Sequence, residues 1–222
     1  MVKRKKRKVK KKNLFLFFCV ITMILLCFSF MMDIKINNVI VKGNVLYDDY
    51  DIIKKAKLDD YPSSLGNLSL KIKKNLEKDP YIKKAIVYKT SLTKVVIEVK
   101  ENLPLFYYLP MKKTVLMDKS QTDDNFPVPT VINYVPDKIY VLLLEKIVNA
   151  DYDIIKRVSE IKYDPNEVDD ERFLFTMNDG NYIYITLEKM DKINKYLDII
   201  KSFNNKKGIL YLDSGEYFEV KE

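Results

Sequence analysis

A chain of 222 residues with no histidine, no tryptophan and only two cysteines cannot build a Ser-His-Asp or Cys-His centre or a His-ligated zinc site. Its formal net charge of +8 suggests a basic, phosphate-binding surface until it is divided by segment: the first twelve residues hold 9 of the 39 Lys and Arg, whereas residues 33–222 hold 30 against all 31 Asp and Glu. Beyond its start the chain is nearly neutral, so charge gives no reason to expect nucleic acid as a partner.

That start pairs Lys3, Arg4, Lys5, Lys6, Arg7, Lys8, Lys10, Lys11 and Lys12 with an uncharged run over residues 13–32. About twenty apolar residues match the roughly 30 Å hydrocarbon thickness of a bilayer, which predicts a membrane-spanning helix over 13–32. The basic residues 1–12 stay cytoplasmic under the positive-inside rule, and residues 33–222 then lie outside. A cleaved signal peptide has a shorter apolar core and small residues before the cut, and Phe28, Ser29, Phe30, Met31 and Met32 offer no such site. Neither Cys19 nor Cys27 is preceded by the small residues of a lipoprotein cleavage site. A Lys/Arg block also fits a nucleic-acid or nuclear-localisation patch, but directly abutting an apolar span it is more economically a topology signal. Both cysteines fall inside the span, so the outer part has to be stable without disulfides.

After the anchor, Ile34, Ile36, Val39 and Val41 read as a strand ending at Lys42-Gly43-Asn44. Asp48 is a suitable N-cap for a following helix, with Asp51 at its third position and Ile52, Ile53 and Ala56 on its apolar face. A second helix is predicted from Asn67 or Ser69, either of which can cap it, with Leu68, Ile72 and Leu76 on one face and Asp79-Pro80 as the stop. Strands over 82–89 and 94–100 follow; Val95, Ile97 and Val99 alternate with Val96, Glu98 and Lys100, the period of a half-buried sheet. The order is β-α-α-β-β, a three-stranded sheet with helices on one side.

Leu103-Pro104-Leu105 reads as a hinge into a second domain. Short strands are predicted over 105–109 and 114–118, an exposed loop over 123–129, a helix carrying Leu142, Leu143, Leu144, Ile147 and Val148, a further helix capped by Asp151, and a strand over 158–163. Residues 173–177 and 182–187 form a hairpin about Asn178-Asp179-Gly180-Asn181. Met190, Ile193, Leu197 and Ile200 mark an amphipathic helix that Gly208 ends, and a strand over 209–212 turns through Asp213-Ser214-Gly215 into Tyr217, Phe218 and Val220.

Acidic clusters do not add up to a reaction centre. Asp48-Asp49-Tyr50-Asp51 is explained by helix capping, and the five carboxylates in 164–171 lack the order and central glycine of an EF-hand. Asn67-Leu68-Ser69 fits a glycosylation sequon but carries little weight beside its helix-cap chemistry. No glycine lies in a phosphate-binding loop pattern. No catalytic, cofactor-binding or metal-ligating residue is assigned, and no cofactor or small-molecule substrate is expected.

Taken in order, these residues resemble the bacterial cell-division proteins of the FtsQ/DivIB family. Ile36 with Val41-Lys42-Gly43-Asn44 looks like the strand that opens the family's POTRA domain; Leu76, Pro80, Tyr81, Ile82, Ala85 and Val87, then Val95-Val96-Ile97-Glu98-Val99-Lys100-Glu101 and Pro104, are similar to the rest of it. Asp118-Lys119, Pro127 to Thr130, Asn178-Asp179-Gly180, Lys195-Tyr196 and Lys207-Gly208-Ile209-Leu210-Tyr211-Leu212 are similar to the family's β domain in order and spacing. Ser91-Leu92 departs from the family's usual proline and leucine, and a sequence ending at Glu222 lacks the tail many members carry. The specificity lies in the collinear set behind the anchor, since no single match is diagnostic.

The resemblance implies an α+β protein: a single N-terminal transmembrane helix (13–32) behind the tail (1–12), a POTRA domain (33–102), then a strand-rich α+β domain (103–222). It implies a bitopic scaffold of the division septum, not an enzyme, which binds FtsB/DivIC-like and FtsL-like membrane-anchored partners and links them to septal peptidoglycan synthesis. The contact it suggests is strand addition at a sheet edge, for which Ile209, Leu210, Tyr211, Leu212, Tyr217 and Phe218 are the candidates. The alternatives are a membrane-anchored POTRA module for export or envelope assembly and a tethered carboxylate-based glycan enzyme.

Overall fold

A computed structural model describes residues 11–221. The basic tail lies outside the described residues apart from Lys11 and Lys12, which open α1 (Lys11–Met32) two residues before the expected span. Within α1, Leu14–Met32 has a mean hydropathy of 2.8 and no part of it is buried in the protein. Its length and apolar surface fit a membrane anchor.

In the unit that runs to Glu101, β1 (Asn38–Lys42) leads to α2 (Asp49–Lys55), α3 (Ser69–Leu76), β2 (Ile82–Lys89) and β3 (Lys94–Glu101). The sheet order is β1-β3-β2, with β1 parallel and β2 antiparallel to the central β3. Ile52, Ala56, Ile72 and Leu76 from the helices pack on Val95, Ile97 and Val99 of β3, so the helices cover one sheet face. Asp48 caps α2 as its side chain accepts from the Asp51 N–H at 2.7 Å. Gly43 sits at φ +79°, where a Cβ would lie 2.5 Å from the Val99 carbonyl oxygen; both facts require glycine in the turn after β1.

Three expectations need correction in this unit. The first strand starts only at Asn38, because residues 34–36 pair elsewhere: Ser64 N–H donates to Ile34 O at 2.7 Å and Ile36 N–H to Pro62 O at 2.9 Å. Neither Asn67 nor Ser69 caps α3; Leu68 holds the cap position with no side-chain bond, and Asn67 Nδ2 donates to Ser63 O instead. Val96 is buried although alternation put it on the solvent side, since β3 is central and Val96 stands between Ile40 and Tyr88.

Glu101, 6 % exposed at the end of β3, ties this unit together. Its carboxylate accepts from the N–H groups of Val45 and Leu46 at 2.6 Å and of Tyr47 at 3.2 Å, holding the loop that enters α2. Asp79 does the same for the stop after α3, accepting from Lys55 at 2.5 Å, the Tyr47 hydroxyl at 3.2 Å and the Tyr81 N–H at 2.9 Å.

The unit from Asn102 carries β4 (Pro104–Tyr108), β5 (Lys113–Leu116), β6 (Gln121–Thr122), β7 (Thr130–Val131), α4 (Asp137–Ile147), α5 (Tyr152–Ile155), β8 (Val158–Tyr163), β9 (Arg172–Met177), β10 (Tyr182–Thr186), a 3₁₀ turn (Met190–Lys195) running into α6 (Tyr196–Ser202), β11 (Gly208–Tyr211) and β12 (Tyr217–Val220). These strands make one sheet in the order β12-β11-β10-β9-β8-β7-β4-β5-β6. Its inner face, with Val131, Ile161, Phe173, Phe175, Ile183 and Leu210, packs on Leu143, Ile147, Ile193 and Tyr196 from the helical layer.

Of the segment read as a hinge, Pro104 and Leu105 lie in a strand: Pro104 opens β4 opposite Leu116, and just before it buried Asn102 accepts from the Asp118 N–H at 3.0 Å. Proline is tolerated at the first position of a strand. The last amphipathic face is also rephased. Met190, Ile193, Tyr196 and Ile200 are buried and Leu197 is exposed, because the 3₁₀ turn repeats every three residues before the α-helix resumes. Gly208 does not end this helix; α6 stops at Ser202, Asn204 and Asn205 take positive φ, and Gly208 is the first residue of β11.

Candidate partner-binding edge

Of the six residues expected at a sheet edge, the structure leaves only two on one. Ile209, Leu210 and Tyr211 belong to β11, which is bonded on both sides, parallel to β10 and antiparallel to β12. Leu212 follows β11, buried, and donates its N–H to Tyr184 O at 2.8 Å. The assignment of Ile209, Leu210, Tyr211 and Leu212 to a free edge is therefore corrected: another strand follows them in the sequence and covers that side. Tyr217 and Phe218 lie in β12, the terminal strand.

Pairing register decides which β12 amides are open. Lys221 N–H donates to Lys207 O at 2.8 Å, and in an antiparallel ladder bonded pairs alternate, so Glu219 and Tyr217 also face β11. The backbone groups of Phe218 and Val220 point outward. The Phe218 ring turns inward against the core and lies 4.9 Å from the Phe203 ring. Gly208 leaves room for this ring and for the β12 backbone, since a Cβ there would lie 2.8 Å from Phe218 Cζ and would overlap the Glu219 carbonyl oxygen.

On the outer sheet face, Tyr184, Tyr211 and Tyr217 stand in register on three adjacent strands. Their rings stack, with centroids 5.5 Å apart from Tyr184 to Tyr211 and 4.6 Å from Tyr211 to Tyr217. The Arg172 guanidinium covers the inner end, 3.8 Å from the Tyr184 centroid. The outer end is open: Tyr217 is 51 % exposed, and no further ring lies on it among the described residues. The free strand edge thus ends beside a free aromatic face.

Arg172 also fixes the turn that carries β12. Its Nε donates to Asp213 at 2.7 Å and its Nη1 to Asp164 at 2.8 Å, and the side chains of Arg172 and Asp213 are mostly buried. Burial pushes the Asp213 carboxyl up, but bonds from Arg172 and Ser214 outweigh it and leave it below the ordinary carboxylate value; Asp164 is held down first by Lys162 and then by Arg172. A carboxyl lowered by folding stabilises the fold above its unfolded pKa, about 3.9, and loses that contribution as pH falls through the lower folded value. Acid unfolding of this unit is accordingly expected to be steeper below about pH 4 in the wild type than in Asp213→Asn, as followed by tyrosine fluorescence across a pH series. Equal pH profiles would refute the coupling.

A second network holds the opposite end of β11. The Tyr196 hydroxyl donates to Asp179 at 2.6 Å and accepts from Asn181 Nδ2 at 2.9 Å, while Asn181 Oδ1 accepts from the Gly208 N–H at 2.8 Å. This joins the hairpin turn, α6 and β11, three places where the family-like residues were noted. Sequence patterns single out neither Arg172 nor Tyr184, and they mark Asp213 and Val220 only as a turn residue and a strand residue. One signal was available for Arg172: with Arg157 it is one of only two arginines after the tail, amid 28 lysines. Arginine's planar fork suits a site shared by two carboxylates and an aromatic face. Among the described residues, no group of three or more Cys, Asp or Glu is arranged to hold a metal ion.

Residues 34–102 match the family model for the POTRA domain of the FtsQ type. The cell division protein DivIB of Bacillus subtilis is 24 % identical over 196 residues, covering 83 % of this chain and 74 % of that protein. DivIB of Listeria monocytogenes is also 24 % identical over 196 residues, covering 83 % of this chain and 72 % of its own. Among solved structures, the major extracytoplasmic domain of the trans isomer of DivIB from Geobacillus stearothermophilus aligns with a TM-score of 0.37 at 16 % identity, covering 48 % of this chain and 97 % of that one.

Proposed function

We infer that this chain, a division-related protein of the FtsQ/DivIB type by its POTRA domain and its DivIB relatives, acts as a membrane-anchored scaffold at the division septum. Its N-terminus is cytoplasmic and its POTRA domain (33–102) and β domain (103–222) face outward, the orientation set by the basic flank of α1. It binds rather than catalyses. An FtsB/DivIC-like or FtsL-like partner segment adds a strand to β12, and through that contact the complex influences septal peptidoglycan synthesis.

The observation that carries this reading is the terminal position of β12, whose outward Phe218 and Val220 backbone groups await a partner strand beside the open face of Tyr217. Main-chain bonds supply affinity in such an addition, and alternate side chains supply specificity. A fluorescent fusion of the full chain, followed through the cell cycle, is expected to concentrate at the division site. A uniform membrane signal at every stage would argue against a division scaffold and for a general envelope module.

A further inference from the structure

The start of α3 has features that the division scaffold does not use. Leu68 and Leu70 are 61 % and 63 % exposed at the start of α3, and with Leu65, Lys71, Lys74 and Lys78 they border one open surface depression. Exposed leucines beside lysines form the composition of an interfacial membrane contact, with apolar side chains for the headgroup boundary and cations for anionic lipid. None of Lys71, Lys74 and Lys78 takes part in an ion pair among the described residues; Lys73, on the neighbouring face, pairs with Glu77. The lysines of this face are therefore not neutralised by the protein.

Chain connectivity places that face near the bilayer. α1 ends at Met32, and only two residues later Ile34 O accepts from the Ser64 N–H at 2.7 Å; Lys35 bridges to Ser63, and Ile36 N–H donates to Pro62 O. Lys89 Nζ further secures Ser64 through its hydroxyl at 2.9 Å. The segment that follows α1 is thus bonded to the one that runs directly into Leu65, Leu68 and Leu70. Leu68 is four residues on from Ser64, at most about 14 Å of chain. Charge follows the same order: residues 33–101 carry 14 basic against 10 acidic residues, a net of +4, whereas 102–222 carry 16 against 21, a net of −5.

We propose that the Leu65–Leu68–Leu70 apices and Lys71, Lys74 and Lys78 rest on the anionic headgroups of the leaflet from which the POTRA domain emerges. The leucines enter the headgroup boundary and the lysines meet lipid phosphates. This second contact holds the POTRA domain against the surface instead of leaving it to swing about residue 33, and it rests on α1 spanning the bilayer.

The test uses the full chain with Cys19→Ser and Cys27→Ser, spin-labelled at Leu70→Cys or, as a reference, at the exposed Val168→Cys, in nanodiscs of phosphatidylcholine with or without roughly one-third phosphatidylglycerol. Collision of the Leu70 label with a water-soluble nickel chelate is expected to fall at least about fivefold in the anionic discs, the factor that one lysine contributes at such a surface, while the Val168 label is unchanged. Lys71→Gln with Lys74→Gln and Lys78→Gln should restore the collision rate. Equal rates in the two discs, a drop that survives the three substitutions, or a drop that appears only when a partner division protein is co-reconstituted would each overturn the proposal, the last in favour of protein docking. Resistance of the chain to alkaline extraction reports the anchor separately: an extracted chain removes the premise, whereas a retained chain with a fully accessible label removes this inference alone.

Discussion

Val220→Pro is expected to reduce capture of a partner strand at least about tenfold while leaving the unfolding of the β domain nearly unchanged. The reason is directional. Val220 faces away from β11, so proline removes no bond of the β11–β12 ladder, but it deletes one of two outward donors and places a ring where the added strand must approach. A lost strand bond with an unsatisfied partner costs about 1–3 kcal/mol, and about 1.4 kcal/mol already corresponds to tenfold in affinity. Glu219→Pro is the informative opposite, because that N–H bonds within the sheet and its loss should destabilise the domain itself. Capture is measured by crosslinking in membranes and stability by urea unfolding in detergent. Undiminished capture by a folded Val220→Pro chain would move the binding site away from β12.

Glu101→Ala should have the largest effect on stability, lowering that of the POTRA unit by about 3 kcal/mol. One buried carboxylate satisfies three backbone N–H groups of the loop between β1 and α2, and alanine leaves all three without their acceptor. Glu101→Gln keeps an acceptor oxygen but loses the charge, and is expected to fall between alanine and wild type. Amide exchange of β2 and β3 in the full chain is the suitable measurement, since it reports this unit without requiring the whole chain to unfold as one. A change below about 0.5 kcal/mol, the range of ordinary surface substitutions, would show that the three bonds contribute little.

These two residues were not equally legible beforehand. Glu101 was visible as part of the family-like strand, though its role as acceptor for a distant loop was not, because the bonds span more than fifty residues of sequence. Val220 is legible as part of a last strand with Tyr217 and Phe218, but nothing local distinguishes that strand as the edge from the strand over 209–212 before it. Local signals succeeded where the cause is local: the Asp48 cap, the Asp-Gly turn and the inward set Val95, Ile97 and Val99 depend on neighbours a few residues away. They failed where the cause is a partner strand or a change of helical phase, as with Val96, Leu197 and the first pairing of residues 34–36.

By itself the sequence determined the apolar anchor, the β-α-α-β-β order of the first domain, the strand-rich α+β character of the second, and the family resemblance, because hydrophobic periodicity and turn chemistry are written residue by residue. Only the tertiary structure decided where the sheet stops. An edge is defined by the absence of a neighbour, and alternation along β11 and β12 is the same whether or not another strand lies alongside. The order of nine strands puts β12 outermost, turns the amides of Phe218 and Val220 outward and, through Arg172 and Asp213, fixes the turn that presents them.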